Sequence, residues 1–167
     1  LYVDIIDYPG EWLLDLPLLE WNYDQWSQQI AQLCNTEPRL TLAKDWREFI
    51  DHLDLNSPAV DTTIRQASEL YTQFLHRCKD KHYNLSLLQP GRFTMPGDLK
   101  GAPLLEFCPL LRHPTGFLKE NSIYAEMRRR YDSYKEHVVK KFYVEHFASF
   151  DRQIVLADVL RTFNTGY

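Results

Sequence analysis

The two ends of the chain constrain its fold most. Residues 1–6, "LYVDII", and 153–159, "QIVLADV", are short apolar runs rich in β-branched side chains, the pattern of buried parallel strands. Two strands of this length do not make a stable sheet by themselves. Everything between them reads as helix or loop. The expected fold is therefore mainly α: a helical bundle inserted between two strands of an incomplete α/β sheet. The first residue is Leu1, not an initiator Met, and the strand pattern starts at once. The chain is accordingly expected to be a piece of a longer protein.

Tyr23, Trp26, Ile30 and Leu33 recur at helical spacing, as do Leu42, Trp46, Phe49, Ile50 and Leu53. Ser57-Pro58 predicts an N-cap and an N1 proline for a longer helix, striped by Ile64, Ala67, Tyr71, Phe74 and Cys78 and ending near His82. A fourth helix starts near Asn121 or Ser122 and carries Ile123, Met127, Tyr131, Tyr134, Val138 and Phe142. Between Leu88 and Pro114 the punctuation by Pro90, Gly91, Pro96, Gly97, Gly101, Pro103 and Pro109 rules out a regular element. That stretch also holds Phe93, Leu104, Leu105, Phe107 and Leu110, which predicts an ordered loop packed on the core.

Composition narrows the class. The 167 residues are 44% hydrophobic and 25% charged, as in a globular domain with a real core. A net charge of -4 gives no overall pull toward nucleic acid or an anionic membrane, and no apolar run reaches the roughly 18 residues of a membrane span. Cys34, Cys78 and Cys108 are far apart and odd in number, which suggests neither a disulfide framework nor a zinc knuckle and fits a cytoplasmic location.

The first strand-like run ends in "DYPGE", residues 7–11. In P-loop nucleotide hydrolases a strand ends in an Asp that reaches Mg2+, usually through water, and a Gly three residues on offers its backbone N–H to the γ-phosphate. The carboxylate has to sit at the carboxyl edge of the sheet, and the glycine has to let backbone approach a phosphate without a Cβ in the way. Asp7 and Gly10 have that spacing, and Glu11 stands where Ras-like GTPases place the residue that orients the attacking water. Spacing alone is weak, because an Asp-x-x-Gly match arises on the order of once by chance in a chain of this length.

Three segments, "LYVDIIDYPGEWLLDLPLL", "LLQPGRFTMPGDLKGAPLLEFCPL" and "HFASFDRQIVLADVLRTFNTG", resemble the YcjX-like family of stress-inducible P-loop proteins of Gram-negative bacteria. The resemblance implies a Ras-like nucleotide-binding core with a helical domain inserted in it. Residues 1–19 would carry the strand and the switch II-like Walker B element, 20–150 the helical domain, and 151–167 the returning strand. Asp7 would be the acidic Walker B residue holding Mg2+ and Gly10 the γ-phosphate contact, with Glu11 and Trp12 on the switch that follows. GTP and GDP are the implied nucleotides, with ATP possible. The chain contains neither a G-x-x-x-x-G-K-[ST] phosphate loop nor an [NT]-K-x-D base-reading element. In the family these lie before residue 1 and after residue 167, so the fragment alone is expected to be inactive.

Other constellations have plainer readings. His76, Cys78 and His82 do not share a helix face in the way a metal site requires. Arg128, Arg129 and Arg130 are interleaved with Glu126 and Asp132, which predicts a solvated face rather than a nucleic-acid stripe. Arg92, in "QPGRF", could serve as an arginine finger, but holding its own loop is the favoured role. Trp12, Trp21 and Trp26 are expected in the core or against a partner. The competing functional reading is a non-enzymatic adaptor whose helices bind a protein partner. A glycine-rich phosphate loop upstream would decide between the two.

Overall fold

The computed structural model describes residues 7–152 together with Tyr2, Ile5 and Ile154. The strands expected at 1–6 and 153–159 fall largely outside the described residues. Among those residues the fold is helical and has no strand beyond one isolated antiparallel bridge, between Pro58 and Ser122.

The chain enters through a single helical turn, α1 (Gly10–Leu13), and a 3-10 turn at Leu16–Leu19. Helix α2 (Tyr23–Leu33) begins with a reciprocal capping box: the Gln25 N–H donates to Asn22 and the Asn22 N–H to the Gln25 side chain, each at 2.9 Å. The stripe from Leu42 to Leu53 is shared between α3 (Arg39–Leu42) and α4 (Lys44–Asp51), which meet at the buried Ala43. The long helix α5 spans Asp61–Lys79. A one-turn α6 (Gly91–Thr94) and 3-10 turns at Gly97–Leu99 and Pro103–Leu105 interrupt the loop that follows.

The start of α5 differs from the sequence expectation. Ser57 does not cap it, because its hydroxyl donates to the Asp54 carbonyl at 2.6 Å. The backbone around it runs extended against the start of α7, with the Ala59 N–H on the Asn121 carbonyl at 2.8 Å and the Ile123 N–H on the Ser57 carbonyl at 3.0 Å. Tertiary pairing thus outcompetes a local cap, and the helix starts three residues past Pro58. It also stops before His82. Asp80 turns extended, and its carboxylate accepts the His82 N–H at 2.9 Å.

The last long helix starts where the sequence places it: Ser122 caps α7 (Ile123–Tyr134) by accepting the Ala125 N–H at 3.2 Å. It continues without a break as a π segment, Lys135–Lys140, into α8 (Lys141–Glu145). Tyr134, Val138 and Phe142 are spaced by four, which on an ideal α-helix drifts around the axis. The wider π turn returns them to one face, and all three are buried.

The core is aromatic. Trp26 stacks on Tyr131 with centroids 5.1 Å apart and meets Phe107 edge-on at 5.7 Å, while Trp46 stacks on Phe74 at 5.8 Å. The loop between α5 and α7 supplies Leu88, Phe93, Phe107, Cys108 and Leu110, all buried, so it is a packing layer despite its prolines and glycines. Burial lifts the Cys34 thiol to about 11 and those of Cys78 and Cys108 to about 12, leaving three inert thiols. No helix among the described residues is long and apolar enough to cross a membrane.

Candidate functional site

Asp7 and Gly10, two of the residues singled out by the sequence, are exposed; Tyr8 and Pro9 between them are half-buried. The Trp12 N–H donates to the Pro9 carbonyl at 3.0 Å, so the chain passes straight from the proline into α1. A methyl group at Gly10 would meet nothing within 4 Å. The glycine is therefore not required by packing within the described residues. Tyr8 tethers the turn from behind, meeting Phe142 edge-on at 5.1 Å and His146 at 5.4 Å.

From Glu11 onward the segment is held at almost every residue by α5 and by the loop containing α6. The Lys79 ammonium, in the last turn of α5, donates to Glu11 Oε1 at 2.7 Å. That bond holds the Glu11 carboxyl below its ordinary value, outweighing partial burial, with a contribution from the residue's own backbone N–H. The Trp12 indole N–H donates to the Met95 carbonyl at 3.1 Å, and the Arg92 guanidinium lies 3.4 Å over the Trp12 ring. The Gln89 side chain donates to the Leu14 carbonyl at 2.5 Å, and Tyr71 in α5 donates to the Gln89 carbonyl at 2.6 Å. Gly91 lies so close to Glu11 that a Cβ there would sit 1.8 Å from the Glu11 carbonyl oxygen.

Asp15 anchors this assembly. It is buried, and its carboxylate accepts the Gly91 N–H at 2.7 Å, the Arg92 N–H at 3.4 Å and the Tyr134 hydroxyl at 2.5 Å. One side chain thereby joins the segment after α1 to α6 and α7. Burial pushes its carboxyl up to about 6 from 3.8, against the pull of those three donors. The folded state therefore binds the proton more tightly than the unfolded one. The resulting stability is fully present below about pH 4 and is lost as pH rises through 6. Over that range it amounts to about 3 kcal/mol. Relative to Asp15→Asn, the wild-type chain should gain up to that amount between pH 7 and pH 4 in denaturant unfolding. A pH-independent gap would show that the carboxyl keeps its ordinary affinity for protons.

Arg92 holds its loop, as the plainer reading expects. It is buried, and its Nη1 donates to Asp98 at 2.9 Å and to the Pro96 carbonyl at 3.2 Å. Arg130 is likewise committed, to Glu126, Glu106 and Asp61 at 2.6–2.9 Å. Trp26 is core and Trp12 is docked on Arg92. Sequence reasoning missed Lys79, Gln89, Gly91 and Asp15 as partners of the "DYPGE" segment. The only local signal was the second Pro-Gly pair, in "QPGRF".

A family model described as the YcjX-like family, DUF463, matches residues 1–167. The chain is similar to a protein named Ras-like GTPase YcjX from Escherichia coli (strain K12), 43% identical over 172 residues, with 99% of this chain and 36% of that protein covered. It is also similar to a Ras-like GTPase YcjX from Shewanella oneidensis, 38% identical over 177 residues, with 99% of this chain and 35% of that protein covered. The chain thus spans little more than a third of the length of the curated relatives it matches.

Proposed function

The chain belongs to the YcjX-like family, and we propose from that premise that it forms the switch and helical regulatory portion of a nucleoside triphosphatase that hydrolyses GTP in preference to ATP. The observation that carries this reading is the "DYPGE" turn: an exposed carboxylate, then a glycine with open space around it, then an anchored glutamate, in a chain similar to proteins named Ras-like GTPases.

Asp7 suits an outer-sphere Mg2+ contact, since an exposed carboxylate can accept hydrogen bonds from the water shell that this ion gives up reluctantly. Bound Mg2+ would supply neutralisation of charge on the phosphates. Gly10 would offer its N–H to the γ-phosphate, and Glu11 would orient the attacking water. The 167 residues contain no phosphate loop, so the triphosphate would be gripped by other parts of a protein of the relatives' length. The helical part would sense the nucleotide through the segment from Glu11 to Asp15, which it holds.

Gly10→Ala in the full-length protein tests the sensor role. A Cβ restricts the backbone dihedrals through which the N–H would turn toward a phosphate. Diphosphate affinity should stay within about twofold. The difference in hydrogen exchange of residues 10–20 between the diphosphate and a non-hydrolysable triphosphate should vanish. A mutant that keeps the wild-type contrast would remove Gly10 from the mechanism and leave the adaptor reading in front.

A further inference from the structure

The ion pair between Lys79 and Glu11 ties together parts of the chain far apart in sequence, as the pairs of Arg130 with Asp61 and Glu106 also do. Lys44 with Glu48, Arg128 with Asp132, Lys140 with Glu136 and Lys141 with Glu145 are exposed pairs one turn apart on their own helices. Such pairs support a helix weakly and fix nothing at a distance. Lys79 and Glu11 are 68 residues apart, meet at 2.7 Å, and are both partly shielded from water.

Both ends of the contact stand on rigid ground. Lys79 follows the fully buried Cys78 in the last turn of α5, and the Leu85 N–H closes that helix end by donating to the Cys78 carbonyl at 2.9 Å. On the other side, the Glu11 carbonyl is pressed against the Cα of Gly91, where there is no room for a methyl group. The backbone of Glu11 and the tip of its side chain are thus set by two separate parts of the helical domain. Glu11 directly follows the exposed Gly10 in the single turn of α1.

We infer that Lys79 is a positioning residue for hydrolysis: it reaches from α5 to fix the Glu11 carboxylate beside Gly10, so the helical domain completes the catalytic arrangement. This rests on the reading of Glu11 as the water-orienting residue. A carboxylate on a mobile side chain samples several rotamers, and a water held by it is in place only part of the time. Tying the carboxylate to a rigid helix end restricts it to one.

The test is steady-state GTP hydrolysis with Mg2+ by the full-length protein carrying Lys79→Met, Lys79→Arg, Glu11→Ala, or Glu11→Ala with Lys79→Met. Removing a residue that orients a catalytic group characteristically costs about ten- to a hundredfold. Lys79→Met should lower kcat by that amount with KM for GTP within about twofold, turnover being referred to the active fraction counted by nucleotide titration so that a loss of folded protein does not mimic it. Lys79→Arg, which keeps a donor of the same charge, should recover most of the loss. The double variant should be no slower than Glu11→Ala alone, because two residues acting as one unit are not additive. An unchanged kcat in Lys79→Met, or additive losses in the double variant, would overturn the inference while leaving Glu11 in its role. A raised kcat would mean that the pair restrains Glu11, and would overturn it equally. An unchanged kcat in Glu11→Ala would remove both the inference and the role of Glu11 on which it rests.

Discussion

Asp7→Asn is expected to lower Mg2+-dependent nucleoside triphosphate hydrolysis by the full-length protein about a hundredfold or more, with almost no change in stability. Asparagine has nearly the same shape as aspartate but no charge, so it offers the water shell of the ion a far weaker acceptor. The structural cost should be small because Asp7 is exposed. Substitutions at such sites stay within about 0.5 kcal/mol. The informative measurement is turnover against Mg2+ concentration, alongside thermal unfolding of the same protein. Turnover that returns to the wild-type level at saturating Mg2+ would make Asp7 a contributor to affinity only, and turnover unchanged at every concentration would reject the metal role.

Gly91→Ala is expected to have the largest effect on the helical part. The added Cβ would lie 1.8 Å from the Glu11 carbonyl oxygen and 2.6 Å from the carbonyl carbon, and both of those are backbone atoms. Neither side can move aside freely. The 89–92 backbone is gripped by Asp15 through the Gly91 and Arg92 amides and by the Tyr71 hydroxyl through the Gln89 carbonyl. The segment opposite is held by Lys79 and Gln89. Overpacking of this kind typically costs about 1–3 kcal/mol, and a backbone collision belongs at the upper end. The expected result is a loss of about 3 kcal/mol in denaturant unfolding together with faster hydrogen exchange at residues 11–16. Near wild-type stability with undisturbed exchange would mean that the two strands of backbone separate more easily than their hydrogen bonds suggest.

Features governed by neighbours in sequence were legible. The apolar steps through Tyr23, Trp26 and Ile30 and through Ile123, Met127 and Tyr131 mark the buried faces of α2 and α7, and of the two starts offered for the fourth helix, Asn121 or Ser122, Ser122 is the residue that caps it. Phe93, Phe107 and Leu110 predicted that the proline-rich loop would be packed rather than solvated, and it is. The misreading of Ser57 shows where this stops: the dipeptide has every local mark of a helix start, but its backbone is taken by Asn121 and Ile123 from more than sixty residues away. The same holds for the candidate site. The spacing of Asp7, Gly10 and Glu11 stands out in one dimension, whereas nothing in a one-dimensional reading ties residue 11 to residue 79 or residue 15 to residues 91 and 134. Those contacts exist only once α5, α6 and α7 have been brought together, so the machinery around the turn could not be read from the turn.

The way Asp15 is held has a further consequence. Its carboxylate sits among three donors in a place without solvent, and a slight tilt of the segment would stretch all three bonds at once with nothing to replace them. Intermediate positions are therefore the least favourable ones. The expected behaviour of the joint is to be either seated or fully released, with the fraction of molecules in each condition, rather than the angle within any one of them, as the quantity that varies. If the segment carries the nucleotide sensing proposed for it, the message would be digital: its strength would be counted in populations, and its speed would be the rate at which a buried carboxylate leaves its socket.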